Sequence, residues 1–212
     1  MTTRLSICRD FAEKQWELPI DGPRLLIAWP EIPGCEDEAV PGTVQNLLCR
    51  SMTSGHDVAW LGGEELSGVE SRRLTPGLRA WPENIWRRLT GRPQDAWLLR
   101  SGDAARAERL FDAMGFCWSQ RGQIALLIPP AISFEPERAQ LLASIGTQKL
   151  APLETLWSHG AAACVLPGVD GCVAGVYARN PQAIDGFTTT LKTIAAASDV
   201  KLEECEEANL FG

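Results

Sequence analysis

Histidine is scarce in this chain, and close cysteine pairs are missing altogether. The 212 residues include two histidines, His56 and His159, and seven cysteines with no CxxC spacing. A protein zinc site needs three or four converging Cys, His or carboxylate ligands, which a sequence usually announces as close pairs. No metal site is expected. The nearest cysteines are Cys164 and Cys172, on what read as opposite arms of a hairpin, where they would face one another as small buried hydrophobes. An odd and irregular set of cysteines is not a disulfide framework; it reads as reduced thiols in a cytoplasmic protein.

Other absences narrow the chemistry. There is no G-x-S-x-G nucleophile elbow. Neither G-x-x-x-x-G-K-[ST] nor G-x-G-x-x-G occurs, and the pair Gly62-Gly63 is too little to cradle a phosphate, so no cofactor is expected. No apolar run approaches the length that crosses a bilayer, so no membrane role is expected. The opening MTTRLSICRDFAEKQWELP has no apolar stretch and carries acidic residues, which reads as no secretory leader.

What is present is acid and tryptophan. The formal net charge is −7, with 45% hydrophobic and 22% charged residues, ordinary for a globular domain. A phosphate backbone would be repelled by such a chain, so nucleic acid is not an expected partner. Eight tryptophans are many for this length, and tryptophan suits contact surfaces as well as cores.

The pattern along the chain predicts alternating strands and helices. RLLIAW (24–29) reads as a buried strand stopped by Pro30. Residues 43–52 read as a helix with Val44, Leu47, Leu48 and Ser51 on one face, and DVAWLGG (57–63) as a second strand. Strand, helix and strand together predict a βαβ unit with a right-handed crossover. EELSGVESRRL and PENIWRRL read as short helices in an irregular middle segment. After it come a strand at 96–101, a helix over 104–114 capped by Asp103, and two strands around Arg121-Gly122. Further helices are expected at 134–146 and 151–160, then a hairpin at 162–178. A last helix follows Asn180-Pro181, buried through Ile184, Phe187, Leu191, Ile194 and Ala195, and a short strand starts at Val200. The fold class is α+β: a mixed, largely antiparallel sheet covered by helices, with the βαβ-like unit at its N-terminal end. Two subdomains, 1–92 and 93–212, are expected, or one continuous domain.

Two sets of residues are candidates for function. Trp81, Trp86, Arg87 and Arg88 lie in the middle segment, off any clean core stripe, and Trp and Arg dominate binding hot spots. They would otherwise pack a joint between subdomains. With the acidic runs Glu36–Glu38, Glu64–Glu65 and Glu203–Glu207 they point to an interaction module that steers a basic protein partner. An inhibitor, an immunity-type protein or an assembly adaptor would fit. The second set is His56, Arg100 and Arg121, which would line a small-ligand or catalytic cleft between the halves. His56 precedes Asp57 at a strand mouth, but neighbours on a strand point to opposite faces and are not expected to converge. Ser158 adjoins His159, yet neighbours on a helix do not face each other, so no Ser–His pair is expected there. The oligomeric state is not legible.

WLLRSGDAARAERLFDAMGFCW (97–118) resembles the opening strand, helix and strand of a glyoxalase-like (vicinal oxygen chelate) module, whose helix ends near a GF dipeptide. When metal-dependent, such modules supply a histidine or glutamate from their strands. No histidine lies on the strands read here, so the resemblance carries no residue role.

Overall fold

The computed structural model describes residues 3–9, 11, 22–29, 42–61, 96–114, 124–130, 153–167, 173–198 and 200–206. Among these residues eight strands occur in chain order: β1 (Thr3–Cys8), β2 (Arg24–Ala28), β3 (Asp57–Leu61), β4 (Ala96–Leu99), β5 (Ile124–Ile128), β6 (Ala163–Pro167), β7 (Val173–Ala178) and β8 (Val200–Glu204). Among them also stand four helices: α1 (Gly42–Thr53), α2 (Ala104–Met114), α3 (Leu153–Ser158) and α4 (Pro181–Ala196). The fold is α+β. One sheet holds all eight strands in the order β4-β3-β5-β6-β7-β2-β1-β8. Every neighbouring pair is antiparallel except β1 and β8.

Strands from 1–92 (β1, β2, β3) and from 93–212 are interleaved in that sheet. The unit β2-α1-β3 has the expected direction, because an even number of antiparallel steps separates its strands. They are not neighbours, however: β7, β6 and β5 lie between them. Local pattern predicts a strand, a helix and a second strand, but not the later strands that insert between them.

The period-2 geometry of a strand sends alternate side chains to opposite faces, and here both faces are buried. Leu25, Ile27 and Trp29 of β2 and its exit, Val58 and Trp60 of β3, and Val176 of β7 pack under α1, α2 and α4. Leu26, Ala59, Leu126, Cys164 and Tyr177 face the other way, against Phe11, Leu156 and Ala161. Helix α1 buries Val44, Leu47, Leu48 and Ser51, the face its spacing predicts. It meets α2 through polar bonds as well, with Asn46 Nδ2 donating to Glu108 Oε1 at 2.6 Å and Gln45 Nε2 to the Glu108 carbonyl at 3.2 Å. Helix α4 starts where Asn180 accepts the Ala183 N–H at 2.9 Å, with Pro181 in the first turn. Its Ile184, Phe187, Leu191 and Ala195 are buried, as its spacing predicts.

The expected helices within 64–95 and 134–146, the strand at 116–120 and the Arg121-Gly122 turn lie outside the described residues. Among the described residues, no helix is long and apolar enough to cross a membrane.

Candidate functional site

Two turns meet at one end of the sheet. One joins α1 to β3 through Ser54, Gly55 and His56; the other joins β4 to α2 through Arg100, Ser101, Gly102 and Asp103. Each turns on a glycine in the left-handed region, Gly55 at φ 74° and Gly102 at φ 84°, where a side chain would strain the backbone. The Gly102 N–H donates to the Thr53 carbonyl at 2.8 Å and joins the two turns. Asp103 accepts the Arg106 N–H at 3.2 Å and so caps α2.

Asp57 anchors this corner. Its Oδ1 accepts the Ser101 N–H at 2.7 Å, and its Oδ2 accepts from Arg100 Nη1 at 3.1 Å. The carboxylate is 7% exposed and the guanidinium 68%. A carboxylate leaving water needs its oxygens engaged, and both are. Arg100 is thereby tethered with most of its cationic head still in solvent. Asp57 does not orient His56, as strand geometry predicts. His56 instead places Nδ1 at 3.1 Å from the Ser54 carbonyl, which makes Nδ1 the protonated nitrogen and leaves the Nε2 lone pair available. Burial lowers the His56 pKa below 6.5, opposed only by that bond to Ser54, so the ring is neutral at pH 7. A neutral imidazole thus stands on one of the two turns and a held guanidinium on the other.

Of the expected cleft residues, His56 and Arg100 therefore lie on the two turns that the Gly102–Thr53 bond joins, and only Arg100 is bonded to Asp57. Arg121 lies outside the described residues. Its flanking elements, the end of α2 and the start of β5, are at the opposite end of the sheet. Trp81, Trp86, Arg87 and Arg88 also lie outside the described residues, in the chain that joins β3 to β4.

The second histidine departs from expectation. Ser158 Oγ lies 3.0 Å from His159 Nδ1, although the residues are sequence neighbours. The cause is a shared partner: at the end of α3 both side chains fold back to the Thr155 carbonyl, which brings them together. The pair is still not a nucleophile and its base. His159 Nδ1 is 2.7 Å from the Thr155 carbonyl, which demands a proton on that nitrogen, and Ser158 donates to the same carbonyl at 2.8 Å. The nitrogen facing the hydroxyl has no lone pair to take its proton.

On the face away from the three long helices, three strands bring together a cluster that the sequence pattern does not single out. Tyr177 is the register partner of both Arg24 on β2 and Cys164 on β6. Cys164 thus faces Tyr177; Cys172 lies outside the described residues. The Tyr177 hydroxyl is wholly buried and has no hydrogen-bond partner among the described residues. Burial raises its pKa, with Arg24 opposing. Burial also pushes the Cys164 thiol up to about 12, which keeps it protonated and unreactive. Arg24 sits over the Phe11 ring, 4.9 Å from its centroid, and donates to the Phe11 carbonyl at 3.1 Å. Register alone reveals this cluster, and register depends on the length of the 168–172 connection.

The acids around β8 are not a bare negative surface. Arg4 pairs with Glu203 at 2.6 Å and Lys201 pairs with it at 2.5 Å; Lys192 pairs with Glu204. Hydrogen bonds from Lys201 and then Arg4 lower the Glu203 pKa, and one from Lys192 lowers that of Glu204. Arg9 meets Asp185 of α4 at 2.7 Å. Among the described residues, no cluster of three or more His, Cys, Asp or Glu could hold a metal ion. Comparison of the chain with protein-family models, with curated proteins and with solved structures gave no match.

Proposed function

We propose that the protein is an acidic interaction module of the cytoplasm that binds a basic protein partner, as an inhibitor, an immunity-type protein or an assembly adaptor would, and does not bind nucleic acid. The observation that supports this is where the charge sits on the chain. The described strands and helices carry nearly equal numbers of acidic and basic side chains, whereas the whole chain is at −7. The excess acid therefore belongs to the connecting segments. Segment 30–41, with Glu36, Asp37 and Glu38, leaves the end of β2. Segment 62–95 joins the end of β3 to the start of β4; it carries no excess acid, with five acidic residues against six arginines, but it holds Trp81, Trp86, Arg87 and Arg88. Since β2 and β3 run the same way, both segments are tethered to one end of the sheet, opposite His56 and Arg100. The acid run of 30–41, tethered to the same end as the tryptophans and arginines of 62–95, is what charge-steered recognition needs: long-range attraction, then desolvated contact.

An affinity capture from the native host at low and at high salt tests this proposal. It calls for a stoichiometric basic protein that is released as salt rises. Capturing no such protein with abundant folded bait overturns it.

The Asp57 corner favours a second reading, a small-ligand or catalytic site built on His56 and Arg100. On that reading, small anions such as inorganic phosphate or simple carboxylates raise the melting temperature of the wild type by mass action, and not that of Arg100→Gln. Equal shifts in both proteins, or none in either, dismiss it.

A further inference from the structure

We propose that β8 is a docking edge for a second copy of this chain, which pairs antiparallel in a register centred on Leu202. Among the described residues β8 is the last strand of the sheet. The Cys205 N–H donates to the Ile7 carbonyl of β1 at 3.0 Å. A residue's N–H and C=O share a side, and the side alternates along a strand. Lys201 and Glu203 therefore turn their backbone groups toward β1, and Val200, Leu202 and Glu204 turn theirs outward. A second β8 placed antiparallel about Leu202 meets those outward groups as hydrogen-bonded pairs, Leu202 to Leu202 and Val200 to Glu204 on either side.

Charge selects that register. Strand edges commonly carry lysine to repel a second strand, but here Lys201 alternates with Glu203. Centred on Leu202, the pairing sets Lys201 of each copy opposite Glu203 of the other, twice, in the close non-hydrogen-bonded positions. The next register in phase one way sets Glu203 opposite Glu203; the other way sets Lys201 opposite Lys201. Only the Leu202 register is complementary. Lys201 is 66% exposed and Glu203 28%, and both lie on the sheet face away from α4. Leu202 packs against the core beneath α4. The product is one sheet continuous through two chains.

Light scattering after size exclusion tests this with charge variants. Wild type at roughly 100 μM, well above a micromolar Kd, is expected at twice the 23.1 kDa of the chain. Lys201→Glu and Glu203→Lys alone each set like charges opposite one another and should run at the chain mass. An equimolar mixture of the two restores both opposite-charge pairs and should return the doubled mass. The double swap Lys201→Glu/Glu203→Lys should stay doubled, and it serves as the test if a single variant proves unfolded by circular dichroism. A monomeric wild type overturns the proposal. So does a dimer that persists in both folded single variants, a mixture that stays monomeric, or a monomeric double swap.

Discussion

Replacing Phe111 with alanine should cost about 3–5 kcal/mol, the range for a fully buried phenylalanine whose site collapses only in part. Phe111 is 2% exposed, on the face of α2 that also buries Ala107 and Leu110, and it packs in the core shared with α1 and β3. Its ring meets Trp60 of β3 edge to face, with centroids 5.8 Å apart and planes at 89°. That geometry is worth about 0.5–1.5 kcal/mol beyond area burial. Phe111→Leu keeps most of the volume and forfeits the ring pair, so it should cost about 1–1.5 kcal/mol. Arg109→Ala, on the exposed side of the same helix, should stay within about 0.5 kcal/mol of wild type. Urea unfolding followed by circular dichroism reads all three. A domain holds only about 5–15 kcal/mol in total, so the alanine variant should show a clearly lower midpoint at an unchanged slope. A loss under about 1 kcal/mol for Phe111→Ala would mean that α2 is not seated on β3, and would refute the packing on which the His56–Arg100 corner depends.

Three further outcomes follow from named contacts. Asp57→Ala removes a buried acceptor from the Ser101 N–H and from Arg100, and should cost about 2–3 kcal/mol; Asp57→Asn, which keeps one acceptor oxygen, should cost less. Most of that loss belongs to the backbone bond, since Arg100 is largely exposed and an exposed ion pair contributes little; a cost that Arg100→Gln reproduces in full would contradict this. Tyr177→Phe deletes a buried hydroxyl with no partner among the described residues, so stability should hold or rise by about 1 kcal/mol, and a loss in urea unfolding would reveal a bond to that oxygen. His56 resists protonation in the fold, so the unfolded chain binds the extra proton. Stability should be fully present above pH 6.5 and decline as pH falls from there toward the lower folded pKa. Melting curves of His56→Gln should lack that part of the slope; an unchanged slope would place the pH dependence elsewhere.

The elements that local chemistry dictates were legible in the sequence, and long-range placement was not. The spacing in α1 and α4 marks their buried faces, Asn180-Pro181 marks a helix start, and Asp103 marks a cap, because each is a contact within a few residues. Strand order is settled elsewhere. β5, β6 and β7 insert between β2 and β3, and β8 returns beside β1, through pairings that no local pattern encodes. The same limit governs the site. His56 and Arg100 stand out singly as a histidine at a strand mouth and a basic residue after a strand. That Arg100 meets Asp57, the residue after His56, depends on β3 and β4 pairing as far as Leu99 and Val58. Tyr177 was missed because a buried tyrosine in an apolar strand looks like core until register sets it between Arg24 and Cys164. Ser158 and His159 approach one another because both side chains fold back to the Thr155 carbonyl at the end of α3, a contact that periodicity does not encode.

The most direct test of the interaction account is capture with two baits, wild type and a variant carrying Glu36→Gln, Asp37→Asn and Glu38→Gln, across a salt series. The account predicts that wild type retains a stoichiometric basic protein at low salt and releases it as salt rises, while the neutralised bait retains less of it with a shallower salt dependence. Equal recovery by both baits at every salt concentration, or no stoichiometric partner with either, would contradict it.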